Sequence, residues 1–142
     1  MLARWKKRKG QSTVEMALLL PALVLILVVV ADFARVFYES IEVAHAARAG
    51  VQYGAQNYVT AADYTGMKNA ALADGSNISG LSATASYFCT CNQQIVTCSP
   101  PGCAEPQIFV KVQTSATFSM ILNYPGIGRT IPLSTTAVLE VQ

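Results

Sequence analysis

The sequence predicts an α+β protein: a long N-terminal helix that crosses a membrane and continues as a stalk, a short second helix, and a small antiparallel sheet of three or four strands with a disulfide loop. Three observations carry this expectation. Met16 to Ala31 hold no charge and are almost wholly Leu, Val, Ile and Ala. Apolar residues then recur at threes and fours as far as Asn57, the period of a helix. Farther on, runs rich in Thr, Val, Ile, Phe and Tyr alternate in the manner of strands, and all four cysteines fall between Cys89 and Cys103.

Composition narrows the class. The chain has 142 residues, 52% hydrophobic and only 13% charged, so it is more apolar and less charged than a typical soluble domain. One segment, Met16 to Ala31, accounts for much of that imbalance. Charge is also local: five of the ten basic residues (Arg4, Lys6, Lys7, Arg8 and Lys9) precede Gly10, leaving 5 basic against 8 acidic residues, a net −3, in the remainder. No basic stripe interleaved with aromatics is present, so nucleic acid is not expected as a partner. The basic cluster is better explained by topology, because Lys and Arg beside a span remain on the cytoplasmic side. Everything after Asp32 then lies across the membrane, where cysteines oxidise.

The sixteen residues Met16 to Ala31 cover about 24 Å as a helix, somewhat less than the roughly 30 Å hydrocarbon core. Flanking Thr13, Val14, Phe33, Ala34, Val36 and Phe37 extend the apolar surface, which gives a span over about residues 13–34. A cleaved secretory signal is the competing reading, with Val29-Val30-Ala31 as its small-residue site. Glu15 at the mouth of the segment and helical patterning that runs on past Ala31 both weigh against it. Pro21 removes one backbone donor inside the span and is expected to bend it.

From Asp32 to Asn57 the apolar positions Phe33, Val36, Phe37, Ile41, Ala44, Ala47, Val51 and Ala55 form a stripe interrupted by Asp32, Arg35, Glu39, Glu42 and Gln52. Ala46, Gly50 and Gly54 make a small-residue ridge, which is expected to pack closely against the sheet. Thr60-Ala-Ala-Asp63 suggests a capped second helix from about Ala61 to Ala73, ending at Asp74-Gly75. Strands are expected over Ser82 to Cys91, Gln107 to Ser119 and Ile131 to Val141. In the second of these, Ile108, Val110 and Val112 alternate with Phe109, Lys111 and Gln113, giving one face to bury. The expected organisation is a basic leader at 1–10, the span and stalk at 11–57, and an extracytoplasmic α+β head at 58–142.

The cysteines follow the spacing Cys89-x-Cys91, then six residues to Cys98 and four to Cys103. Structural zinc uses paired C-x2 to 4-C knuckles, and only half of that pattern is present. Two disulfides are therefore favoured over a metal site. Of the three possible pairings, Cys89 with Cys91 is disfavoured because a strand holds them apart. The nested pairing, Cys91 to Cys98 across a hairpin and Cys89 to Cys103 outside it, is preferred.

No enzyme is expected. The chain has one histidine, His45, which reads as a solvent-facing stalk residue, and it lacks a phosphate-cradling glycine loop and an H-E-x-x-H helix. Neither a cofactor nor a small-molecule substrate is implied.

The run Gly10-Gln-Ser-Thr-Val-Glu15, followed by Met16-Ala-Leu-Leu-Leu-Pro21-Ala-Leu, resembles the processing site of type IV prepilins, and more narrowly the TadE-like pseudopilins of tight-adherence (Flp) pilus systems. Pro21, Asp32-Phe33-Ala-Arg35 as a turn after the span, and Ala46-Ala-Arg48-Ala-Gly50 are similar to further TadE features. The likeness is strongest over Lys9 to Gly54, and Cys89 to Cys103 and Thr135 to Glu140 share it more weakly. Met16 departs from it, since these proteins often carry an aromatic there.

The resemblance implies a prepilin peptidase that cuts between Gly10 and Gln11, and a Glu15 that pairs with the new α-ammonium of a neighbouring subunit. It further implies a single-pass protein of the bacterial inner membrane with its head outside the cytoplasm. The expected partners are the peptidase, other pilins or pseudopilins, the assembly machinery and membrane lipid. The alternative class is a secreted or membrane-tethered binding module, such as an adhesin stabilised by its disulfides.

Overall fold

The computed structural model describes residues 11–98 and 103–142, with side chains from Thr13 onward. The basic leader and Gly10 lie outside the described residues. The first element, α1, is a single helix over Gln11–Gly54. Its 44 residues extend about 66 Å at helical rise. It runs through Pro21 as continuous helix. Asp32 to Arg35, expected as a turn after the span, is an internal turn of the same helix.

Two short helices follow, α2 at Tyr58–Ala62 and α3 at Tyr64–Asp74. The capping box lies three residues earlier than the sequence suggests. Asn57 accepts from the N–H groups of Val59 and Thr60, and the Thr60 hydroxyl in turn accepts from Asn57 N–H. Asp63 then caps α3 by accepting from Gly66 N–H at 2.8 Å. What reads as one capped helix is two, because each carboxamide or carboxylate satisfies its own helix start.

The sheet has four antiparallel strands in the order β2-β1-β3-β4: β1 Ser82–Cys91, β2 Gln94–Val96, β3 Gln107–Ser119 and β4 Thr130–Glu140. Alternation along β3 puts Val110, Val112, Thr114, Ala116 and Phe118 on the buried face, as its sequence pattern predicts. On the opposite, uncovered face, Phe88 and its register partner Phe109 stack at 5.5 Å.

The helical layer is α1 with α3. Val51, Ala55, Ala61, Met67, Ala71, Val110 and Val112 form one core cluster, and Val43, Ile78 and Ala116 a second nearer the N-terminal half of α1. The small-residue ridge of α1 meets α3 as well as the sheet. A Cβ at Gly50 would stand 2.9 Å from the Met67 carbonyl oxygen and 3.0 Å from Val112 Cγ1. The backbones are therefore packed too closely for any larger residue. Within this interface the Thr114 hydroxyl donates to the Val43 carbonyl at 2.7 Å, satisfying a buried polar group.

The disulfides overturn the nested pairing. Cys89 bonds Cys98 and Cys91 bonds Cys103, with Cα separations of 5.3 and 6.4 Å. Sheet register supplies the reason: Cys89 lies opposite Val96 and Cys91 opposite Gln94. Cys98 is thus two residues from the partner of Cys89 but four from that of Cys91, about 13 Å along an extended chain. A two-residue turn, Asn92-Gln93, sets this register with both residues at positive φ, 51° and 65°.

Candidate assembly interface

The first half of α1 is bare. From Val14 to Val30 its large apolar side chains are 48 to 74% exposed except at Val28 and Val29, which are half-buried, and none of its most apolar 18-residue window is buried against the other described residues. Its mean hydropathy of 2.8 and its length suffice to cross a membrane. A patch of this size demands lipid or other subunits as cover. Glu15 sits exposed on this segment, four residues after Gln11 and so on the same helix face about one turn along.

At the end of the uncharged stretch, the bare helix becomes a packed one at Asp32. This carboxylate is 0% exposed. Both its oxygens accept from Ile121 N–H at 3.1 Å, and Oδ2 also accepts from Leu122 N–H at 3.2 Å and the Tyr124 hydroxyl at 3.1 Å. Arg35, one turn on, brings Nη1 to 3.5 Å, and its guanidinium lies 5.2 Å from the centre of the Phe118 ring. Phe33 and Tyr124 face each other at 6.2 Å. A buried charge is costly unless paired and hydrogen-bonded, and Asp32 is both. It ties α1 to the loop between β3 and β4.

Sequence reasoning took Asp32 as a residue ending the apolar run and missed this role. The available signal was a carboxylate directly after an uncharged stretch with an arginine at i+3. Its hydrogen-bond partners, however, are 89 to 92 residues away in the chain.

A second tether lies at the other end of the helical layer. The Tyr53 hydroxyl donates to Asp63 Oδ2 at 2.9 Å while Oδ1 accepts from Gly66 N–H. The Gly66 and Tyr53 hydrogen bonds outweigh burial and hold the Asp63 carboxyl below its usual range. The same contact, with the charge of Asp63 and burial, raises Tyr53 above the usual phenol value.

The four cysteines are brought together at the far end of the sheet from Asp32, since Thr90 pairs with Gln107 at one end of β3 and Ser119 with Thr130 at the other. All four are in disulfides. Among the described residues no cluster of His, Cys, Asp or Glu is arranged to hold a metal ion. His45 is exposed on α1, as expected.

The segment so built, bare helix, buried carboxylate and packed stalk, is also the segment that comparison with known proteins detects. Residues 10–52 match the TadE-like protein family. The TadE-like region therefore runs from the glycine before α1 almost to the helix's end, through Glu15, Asp32 and Gly50. The family is structural, and the match supports a pilus-associated component. The sheet and its cysteines lie outside the matched residues. No curated protein and no solved structure matches the chain.

Proposed function

We propose that this chain is a minor pilin or pseudopilin, a structural membrane component of a tight-adherence pilus assembly system. The observation that supports the reading is that the TadE-like region contains an apolar helical stretch that no other described residue buries. In this scheme α1 waits in the inner membrane with the basic leader in the cytoplasm and the sheet outside. A prepilin peptidase cuts after Gly10, leaving Gln11 as the new terminus. Glu15 then offsets the cost of its charge near the bilayer by pairing with the α-ammonium of a neighbouring subunit. Assembly proceeds by packing apolar helices against one another.

Mass spectrometry of the protein purified from its native membrane tests this reading. The expected mature terminus is Gln11. Asp32 as the terminus would make the chain a secreted module, and Met1 would leave it an unprocessed anchor; either result rejects the proposal.

A further inference from the structure

The loop held by Asp32 has the composition of a surface that meets a bilayer. Ser119-Met-Ile-Leu-Asn-Tyr-Pro-Gly-Ile-Gly-Arg129 contains no carboxylate and one cation. Met120 is turned inward, 2% exposed, and its N–H donates to the Arg129 carbonyl at 2.9 Å, closing the base of the loop. Ile121, Leu122 and Ile127 are 56, 38 and 44% exposed. One short loop thus carries three exposed apolar side chains; at the opposite end of the sheet Ile95 stands among the polar Asn92, Gln93 and Gln94, with Tyr58 and Val59 exposed on α2.

We propose that the β3–β4 loop is a second membrane contact, with Ile121, Leu122 and Ile127 entering the headgroup–acyl boundary beside the point where α1 leaves the bilayer. The inference rests on reading α1 as a membrane span. Depth favours lipid as the occupant. The uncharged stretch ends at Ala31 after about 24 Å of helix, against a hydrocarbon core of about 30 Å, so Asp32 lies at the boundary. Three hydrogen bonds to Asp32 from Ile121, Leu122 and Tyr124 hold the loop at that level. The loop thus adds apolar surface where the span falls short.

Charge agrees with depth. Arg129 is exposed at the base of the loop and complements lipid phosphates, while Asp32 is buried and paired with Arg35; the next carboxylate on α1, Glu39, lies about two turns farther from the bare half. Tyr124, half-buried against Phe33, is the residue type that populates membrane interfaces.

The only tryptophan is Trp5, which permits a clean test. In a full-length Trp5→Phe background, single tryptophans replace Leu23, Leu122, Ile127 or Ile95, and each protein is reconstituted into phosphatidylethanolamine/phosphatidylglycerol vesicles carrying acyl-brominated lipid. Leu23→Trp is expected to be quenched by deep bromines. Leu122→Trp and Ile127→Trp are expected to lose roughly half their emission to bromines near the carbonyl end, as befits insertion of about 5–10 Å, and Ile95→Trp none. Quenching of Leu23→Trp alone would leave the span standing and overturn the loop contact. A Leu122→Trp emission that is blue-shifted yet unquenched would mean protein covers the loop, and would overturn it as well. Escape of Leu23→Trp from quenching would remove the span itself and the inference with it.

Discussion

Asp32 accepts the backbone N–H of Ile121 across 89 residues of sequence, and it does so with both carboxylate oxygens. Replacing it by Ala leaves two N–H groups and the Tyr124 hydroxyl without their acceptor in a part-buried site. Hydrogen exchange at the Ile121 and Leu122 amides is expected to accelerate about tenfold or more, the equivalent of one lost hydrogen bond. Exchange in the centre of β3, at Val110 and Val112, should hardly change. Asp32→Asn keeps one carbonyl acceptor and should fall between the two. Uniform acceleration throughout the sheet would show that Asp32 supports the whole core rather than the loop.

Gly50 tests the helix–sheet approach. Alanine would recover about 1 kcal/mol of helix propensity, but its Cβ would stand 2.9 Å from the Met67 carbonyl oxygen, a backbone atom that cannot rotate away. Overpacking of this kind costs about 1–3 kcal/mol, so Gly50→Ala is expected to destabilise on balance and Gly50→Val more strongly. At Gly128 the nearest atom lies 3.6 Å from the added Cβ, and alanine there should be close to neutral. Denaturant midpoints of the three variants measure the difference.

The Tyr53–Asp63 pair predicts a pH profile with two shoulders. Asp63 has a lowered folded-state pKa, so its contribution is complete above the ordinary carboxylate value, about 3.9, and is lost as pH falls through the lower folded value. Tyr53 has a raised one. Its contribution is complete below the ordinary phenol value of about 10 and is lost as pH rises through the higher folded value. The stability difference between wild type and Tyr53→Phe should accordingly be flat between these limits and shrink beyond each. A difference unchanged in acid and in base would remove the pair from the account.

The crossed disulfides predict two linked peptides after non-reducing digestion, one joining Cys89 to Cys98 and the other Cys91 to Cys103. Each closes a loop of 9 or 12 residues in sequence separation, worth about 3 kcal/mol at most in the chain-entropy account. Reductant should lower the unfolding temperature, and a chelator should leave it unchanged. Recovery of a Cys91–Cys98 peptide would reinstate the nested arrangement.

Two substitutions separate processing from assembly. Gly10→Phe is expected to leave full-length precursor, seen as a heavier band in membranes. Glu15→Val should be cut normally yet fail to enter assemblies, read by co-isolation with sheared pili. Normal cutting of Gly10→Phe would reject the cleavage site while leaving the anchor in place.

Much of the architecture was legible because its determinants are local. A charge-free run, a 3.6-residue stripe and a two-residue alternation can each be read within a window of about a dozen residues. Strands β1 and β3 fall where the alternation placed them, and β4 begins one residue earlier and ends one earlier. The disulfide pairing was not legible. It depends on a tight turn at Asn92-Gln93, where the second residue is not the glycine that normally advertises such a turn. Asp32 was misjudged for a related reason: no local pattern shows that loop amides 89 residues on will supply its donors. The end of α2 was merged with α3 because Asn57, not Thr60, caps the first of them and Asp63 caps the second.

Because α1 contains no break between its bare half and Val43 in the core, the sheet has no swivel. Each helical residue advances the azimuth by about 100°, so in the proposed assembly the angle at which one subunit's helix met its neighbour would also set the direction in which its sheet faced. Neighbouring subunits that differ by a fixed rotation in the bilayer would then display their disulfide-braced tips at that same angular step outside it. The surface pattern of an assembly would be dictated from within the membrane.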